Sequence, residues 1–163
     1  GKRYNEGMGM ATEVVSVVSV EETFACAQAL AAELTSGDVV LLEGNLGAGK
    51  THFVKGIASY FGLNMSDIQS PTYALVHEYE GLHPVHSSAL TIYHFDLYRL
   101  ESDHELLEIG FEEYIYGNGI CVIEWPQVAQ HYLPSRVIKV SIQVDTASRT
   151  IAIARGVNDV ARL

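Results

Sequence analysis

Residues Gly44-Asn45-Leu46-Gly47-Ala48-Gly49-Lys50-Thr51 spell G-x-x-x-x-G-K-T, and no other stretch constrains the chain as strongly. The glycines let successive backbone N–H groups turn inward, and a helix starting at the lysine adds the positive end of its dipole. Such a cradle suits phosphate oxygens. Lys50 reaches the outer phosphates and Thr51 offers a hydroxyl to Mg²⁺. The flanks agree with this reading. Val39-Val40-Leu41-Leu42 is an unbroken apolar run, as in a strand covered on both faces. A helical pattern follows from about Lys50 to Phe61 and is closed by Gly62.

The rest of the chain alternates in the same way. Ser19-Val20-Glu21-Glu22 is a capping box, and Ala27, Leu30, Ala31 and Leu34 recur behind it at helical spacing until Gly37. Tyr73 to Tyr79 and Thr91 to Phe95 carry strand-type residues, with a loop over 81–88. Ser102-Asp103-His104-Glu105 is a second capping box, predicting a helix to about Tyr116, and Gly117-Asn118-Gly119 is a turn. Ile120-Cys121-Val122-Ile123 is a second buried-strand run. Val137 to Val144 and Thr150 to Ala154 alternate apolar and polar around Asp145-Thr146-Ala147-Ser148, which predicts a hairpin. The pattern predicts an α/β, three-layer fold of the P-loop NTPase type, with a mostly parallel central sheet and an antiparallel C-terminal hairpin.

With 163 residues, 48% of them hydrophobic, the chain can bury one core. We place a single domain at 11–163. Residues 1–10 are polar, glycine-containing and carry two methionines, and are expected to form a disordered or cloning-derived tail. Twenty acidic against ten basic residues leave a net charge of −10. That argues against a protein that grips nucleic acid by itself, since phosphate neutralisation supplies most of such affinity. Cys26 and Cys121 lie far apart in apolar runs and read as buried thiols of a reducing, cytoplasmic setting. No apolar run approaches the length of a membrane span.

A phosphate cradle of this kind also needs an acid at the end of a neighbouring strand, to hold the metal's water shell or orient the attacking water. Asp96 follows Ile92-Tyr93-His94-Phe95, and Glu124 follows Ile120-Cys121-Val122-Ile123; both are candidates. Ser70-Pro71-Thr72-Tyr73 falls where nucleotide-sensing segments lie, and Thr72 can place a hydroxyl near the γ-phosphate or the metal. Arg99 and Arg149 are candidates for neutralising transition-state charge. The seven histidines form no metal constellation, so His94 reads as packed or hydrogen-bonded. Trp125-Pro126 admits either a core role or a stacking surface beside the site.

None of the four lysines lies in an Asn-Lys-x-Asp setting, which favours ATP over GTP. Six scattered arginines do not make the lid of a small-molecule kinase, which favours hydrolysis coupled to a conformational change. Two rivals stand beside this reading: a small-molecule P-loop kinase, and a nucleotide-gated binding module without significant hydrolysis.

The P-loop, Ser70-Pro71-Thr72-Tyr73, His94-Phe95-Asp96-Leu97-Tyr98-Arg99-Leu100, Glu108-Ile109-Gly110 and Ile123-Glu124-Trp125-Pro126 occur in one order. Together they resemble the bacterial TsaE (YjeE) family, the small ATPase of tRNA threonylcarbamoyladenosine (t6A) biosynthesis, over about Val20 to Ala154. The resemblance implies ATP/ADP contacts at Asn45, Leu46, Gly47, Ala48, Gly49, Lys50 and Thr51, adenosine contacts at Val20 and Thr23, and a hairpin arginine at Arg149. It implies Mg²⁺ ligands at Thr51 and Glu124, a needed acid at Asp96, a switch around Thr72, and a supporting role for Trp125. Asn45 stands where the family usually has Asp, which removes one negative charge beside the phosphates. The resemblance further implies action through a TsaB–TsaD pair that modifies the adenosine at tRNA position 37 in tRNAs reading ANN codons. The tRNA would be held by those partners, in keeping with the acidic charge.

Overall fold

The computed structural model describes residues 2–7, 10–69, 71 and 74–157. Eight strands form one sheet: β1 (Lys2–Gly7), β2 (Met10–Val17), β3 (Val39–Glu43), β4 (Val76–Leu82), β5 (Ala89–Asp96), β6 (Ile120–Glu124), β7 (Arg136–Val144) and β8 (Arg149–Val157). Their order is β1-β2-β8-β7-β3-β6-β5-β4. The four central strands, β7, β3, β6 and β5, are mutually parallel, and the strands outside them pair antiparallel. The expected hairpin is β7–β8, closed where Asp145 N–H donates to the Ser148 carbonyl at 2.9 Å.

The alternation of β3 sorts its side chains into two cores. Val40 and Leu42 pack with Ala27, Leu30, Phe53 and Ile57 of helices α1 (Val20–Ala31) and α2 (Lys50–Tyr60). Val39 and Leu41 face the opposite way, onto Leu106, Phe111 and Ile115 of α3 (His104–Glu108) and α4 (Phe111–Ile115) and onto Ala129 of the 3-10 turn Pro126–Tyr132. Helices on both faces of a central parallel sheet make the three layers. All residues of β6 are buried, as its unbroken apolar run requires.

Local signals mostly act as read. Ser19 caps α1 by accepting from Glu22 N–H at 3.1 Å, while Glu22 reaches back to Val18 N–H at 2.6 Å. Gly62, at φ 80°, follows α2. Three expectations change. Lys2–Gly7, placed in a tail by the sequence reading, form β1 along the edge of β2, and Met10 opens β2. The helix expected from Ser102 to Tyr116 is two short helices, because Gly110 sits at φ 70°, a left-handed value that ends one helix and starts the next. Cys121 is buried as expected, but Cys26 is only partly so. No helix among the described residues is long and apolar enough to cross a membrane.

Candidate functional site

Because β3, β5 and β6 run parallel, their carboxyl ends meet at one edge of the sheet, where ligand sites of open α/β sheets gather. β3 ends in the glycine-rich loop, β6 in Glu124, and β5 in Asp96, directly opposite Glu124 in the strand register. These ends open into a cavity of about 320 Å³ lined by Val20, Leu46, Gly47, Gly49, Lys50, Thr51, His52, Asp96, Glu124, Trp125 and Arg149.

The loop owes its shape to glycine. Gly49 has φ 113° and precedes the first residue of α2, a conformation closed to ordinary side chains. A Cβ on Gly44 would lie 2.9 Å from the Ile142 carbonyl. Ala48 is buried beneath the loop, where its N–H donates to the Asn45 carbonyl at 3.0 Å. Asn45 and Ala48 line a second cavity, between the loop and β7, which Leu46 and Gly47 share. The first turn of α2 presents N–H groups that no intrahelical carbonyl can take.

Lys50 is 6% exposed. Its ammonium donates to the Gly44 carbonyl and, at 3.4 Å, to that of Asn45. Burial lowers its pKa from 10.5, while Glu124 and, less strongly, Asp96 pull it back upward. Above Lys50 lies the Trp125 indole, with Tyr98 packed on it at 4.8 Å between ring centroids. Trp125 has φ 55° at the end of β6, a left-handed conformation that costs a bulky residue on the order of 1–3 kcal/mol. Of the two roles its sequence allowed, the indole takes the one beside the site.

The two acids differ. Glu124 is 4% exposed, and its Oε2 lies 2.6 Å from Nε2 of His94, itself 1% exposed. Asp96 is half-buried and accepts from Tyr98 N–H at 3.0 Å. On the opposite wall Arg149, first residue of β8, reaches the Gly47 carbonyl at 3.4 Å. Its Nε is buried and has no hydrogen-bond partner among the described residues.

The structure therefore brings Val20, the loop, Lys50, Thr51, Asp96, Glu124 and Arg149 to one place. Thr23 is not part of that wall: it is buried in the first turn of α1, and its hydroxyl donates to the Ser19 carbonyl at 3.3 Å. Arg99 is exposed and does not line the cavity. Thr72 lies outside the described residues. His52 lines the cavity without having been singled out in the sequence, although its place beside Thr51 on the helix start was a usable signal. The pairing of His94 with Glu124 had no sequence signal, since the two are 30 residues apart.

Comparison with known proteins bears on the family of the chain. The family model described as threonylcarbamoyl adenosine biosynthesis protein TsaE matches residues 17–151. A Rickettsia conorii protein named tRNA threonylcarbamoyladenosine biosynthesis protein TsaE is 44% identical over 125 residues, covering 77% of this chain and 67% of the relative. A Bacillus subtilis protein of the same name is 39% identical over 126 residues, covering 77% and 74%. The crystal structure of Bacillus subtilis YdiB superposes with a TM-score of 0.73 at 31% identity, over 96% of this chain and 93% of that one. Strand order, glycine loop and family match converge, and the chain belongs to the TsaE family of threonylcarbamoyl adenosine biosynthesis proteins.

Proposed function

We propose that the protein binds and hydrolyses ATP with Mg²⁺, and that it serves t6A modification of adenosine 37 in ANN-reading tRNAs through a TsaB–TsaD pair. The observation that carries the catalytic part is the convergence of a helix start, one buried lysine and two strand-end carboxylates on a single cavity. The buried, unpartnered Nε of Arg149 supports an anionic occupant, because a bound phosphate oxygen would satisfy it.

The residues have separate tasks. The loop N–H groups and the start of α2 hold the phosphate chain, which needs no side chain. Lys50 leaves the Gly44 carbonyl for the outer phosphates and offsets their charge. Arg149 faces them from the hairpin. Thr51, Glu124 and Asp96 supply hard oxygen donors, the set that suits Mg²⁺. Among the described residues no group of three or more His, Cys, Asp or Glu could hold a metal unaided. That fits an ion bound together with substrate phosphates, as Mg²⁺ usually is. When bound, the ion neutralises charge developing on the phosphoryl oxygens. The carboxylate that is not occupied with the metal can orient the attacking water.

The net charge of −10 supports leaving tRNA to the partners. The test is ATP hydrolysis by the purified chain with Mg²⁺ or EDTA, and with or without the TsaB–TsaD pair. Mg²⁺-dependent turnover that the pair alters is expected. Absence of nucleotide binding under all conditions would reject the catalytic reading, and turnover indifferent to the pair would reject the partner.

A further inference from the structure

We infer that His94 is a positioning residue for this site, acting through Glu124: its Nε2–H anchors one carboxylate oxygen so that the other is presented to the nucleotide pocket. The inference rests on the reading of Glu124 given above.

The geometry is specific. His94 and Glu124 lie on adjacent parallel strands, and their side chains emerge on the same face of the sheet. The Nε2–Oε2 separation is 2.6 Å, within hydrogen-bond distance. Both residues are almost fully buried, so water does not compete for this oxygen. The ring's other nitrogen, Nδ1, is buried without a partner among the described residues. A bare lone pair costs less there than an unpaired N–H, which assigns the ring proton to Nε2. The imidazole is thus a one-directional donor whose one hydrogen bond among the described residues goes to Glu124.

Glu124 otherwise has rotational freedom about its terminal torsion, which is broad for carboxylates. With Oε2 tethered, Oε1 is the oxygen left for the cavity that Glu124 lines. This is the arrangement by which outer-shell partners orient metal-ligating or catalytic carboxylates, and losing such a partner typically costs 10–100-fold in metal affinity or activity. His94 does not itself line the cavity, so a loss on its substitution would pass through Glu124.

Gln and Asn separate this role from plain packing. The Gln amide N–H reaches about as far as Nε2, whereas that of Asn stops near Nδ1. Four quantities are measured for wild type, His94→Gln, His94→Asn, Glu124→Gln and the double variant His94→Asn/Glu124→Gln: kcat and KM for ATP, ATP affinity without metal by calorimetry, and the gain in that affinity on adding Mg²⁺. We expect His94→Gln to stay within about 3-fold of wild type. His94→Asn should lose about 10–100-fold in kcat and in the Mg²⁺-dependent gain. Metal-free ATP affinity should change by less than about 3-fold, because the phosphate cradle is backbone, whereas KM measured with Mg²⁺ should rise in step with the lost gain. In the Glu124→Gln background, His94→Asn should cost nothing further.

Equal behaviour of the Gln and Asn variants, loss of metal-free ATP affinity alongside kcat, or full additivity with Glu124→Gln would each overturn the positioning role. A wild-type chain that binds ATP with Mg²⁺ while His94→Asn matches it rejects this inference and leaves the functional reading intact. A wild-type chain without Mg²⁺-dependent binding or turnover rejects both.

Discussion

The Lys50 ammonium lies 3.8 Å from the centroid of the Trp125 ring. A cation over an indole face is worth roughly 0.5–1 kcal/mol when exposed and about 2 when desolvated. Lys50 is therefore held by an aromatic face and by the Gly44 carbonyl, both of which would compete with a phosphate for the ammonium. Trp125 is the chain's single tryptophan, so tryptophan emission comes from this place alone. ATP binding is expected to change Trp125 fluorescence, and Lys50→Ala should remove the change. Lys50→Ala should also weaken ATP binding by about 10–100-fold, since a hydrogen bond to a charged group is worth about 1.5–3 kcal/mol. Saturable ATP binding by calorimetry with unaltered emission would show that Lys50 stays under the indole.

The lowered pKa of Lys50 has opposite consequences for binding and stability. Burial is the leading cause, with Glu124 and Asp96 opposing it. In the unfolded chain Lys50 keeps its proton up to about 10.5, whereas in the fold it loses it at lower pH. Between those two values the unfolded state binds more protons, so the Lys50 contribution to stability rises with pH there. It falls away as pH drops through the folded value. Lys50→Met should accordingly raise the urea midpoint at neutral pH while weakening ATP binding. The gap between variant and wild type should narrow as pH rises toward 10.5. A gap of constant size across that range would mean that desolvation of the charge is not its source.

Glu124 is expected to matter more for hydrolysis than for binding. Glu124→Gln keeps the volume of the side chain but lowers its charge and basicity. Turnover should fall about 100-fold or more, with metal-free ATP affinity within a few-fold of wild type. Single-turnover assays at saturating ATP separate the two effects. Normal hydrolysis in this variant would assign the role to Asp96 alone.

Packing of α1 on α2 depends on Gly56. A Cβ there would meet Ala27 Cβ at 2.6 Å and the Phe24 carbonyl at 2.8 Å. Gly56→Ala gains helix propensity but forces the helices apart, and overpacking of this kind costs typically about 1–3 kcal/mol. Thermal denaturation should show a lower midpoint. An unchanged or raised midpoint would mean that the two helices can separate without cost.

The thiols should react at very different rates. Burial pushes the Cys121 thiol up to about 12, leaving almost no thiolate at mildly alkaline pH. Cys26 is partly exposed. A disulfide reagent should titrate one thiol in the native protein and two in denaturant. Two fast thiols in the native state would show that the core around Cys121 opens readily.

Much of the site was legible because its parts are local. The glycine-rich loop is one continuous segment, and its apolar strand and helix lie directly before and after it, so position along the chain implies position in space. Asp96 and Glu124 were readable for a related reason: each ends a strand, and parallel strands bring their carboxyl ends to one edge. The middle of the chain was less legible. A capping box at Ser102 and helical spacing beyond it predict one helix, but left-handed backbone at Gly110 divides it.

By itself the sequence determined the strand–loop–helix unit, the two buried strands, the C-terminal hairpin and the place of two acids at strand ends, since each follows from short-range periodicity and turn chemistry. Tertiary structure alone decided who meets whom. The edge pairing of β1, the stacking of Trp125 over Lys50, the withdrawal of Thr23 from the cavity wall and the bond between His94 and Glu124 all depend on side chains distant in sequence or on how a turn is oriented. Such contacts are set by sheet register and by the direction in which each strand end turns. Neither quantity is written in the local pattern of residues, because a one-residue change of register would send the same side chains to the other face.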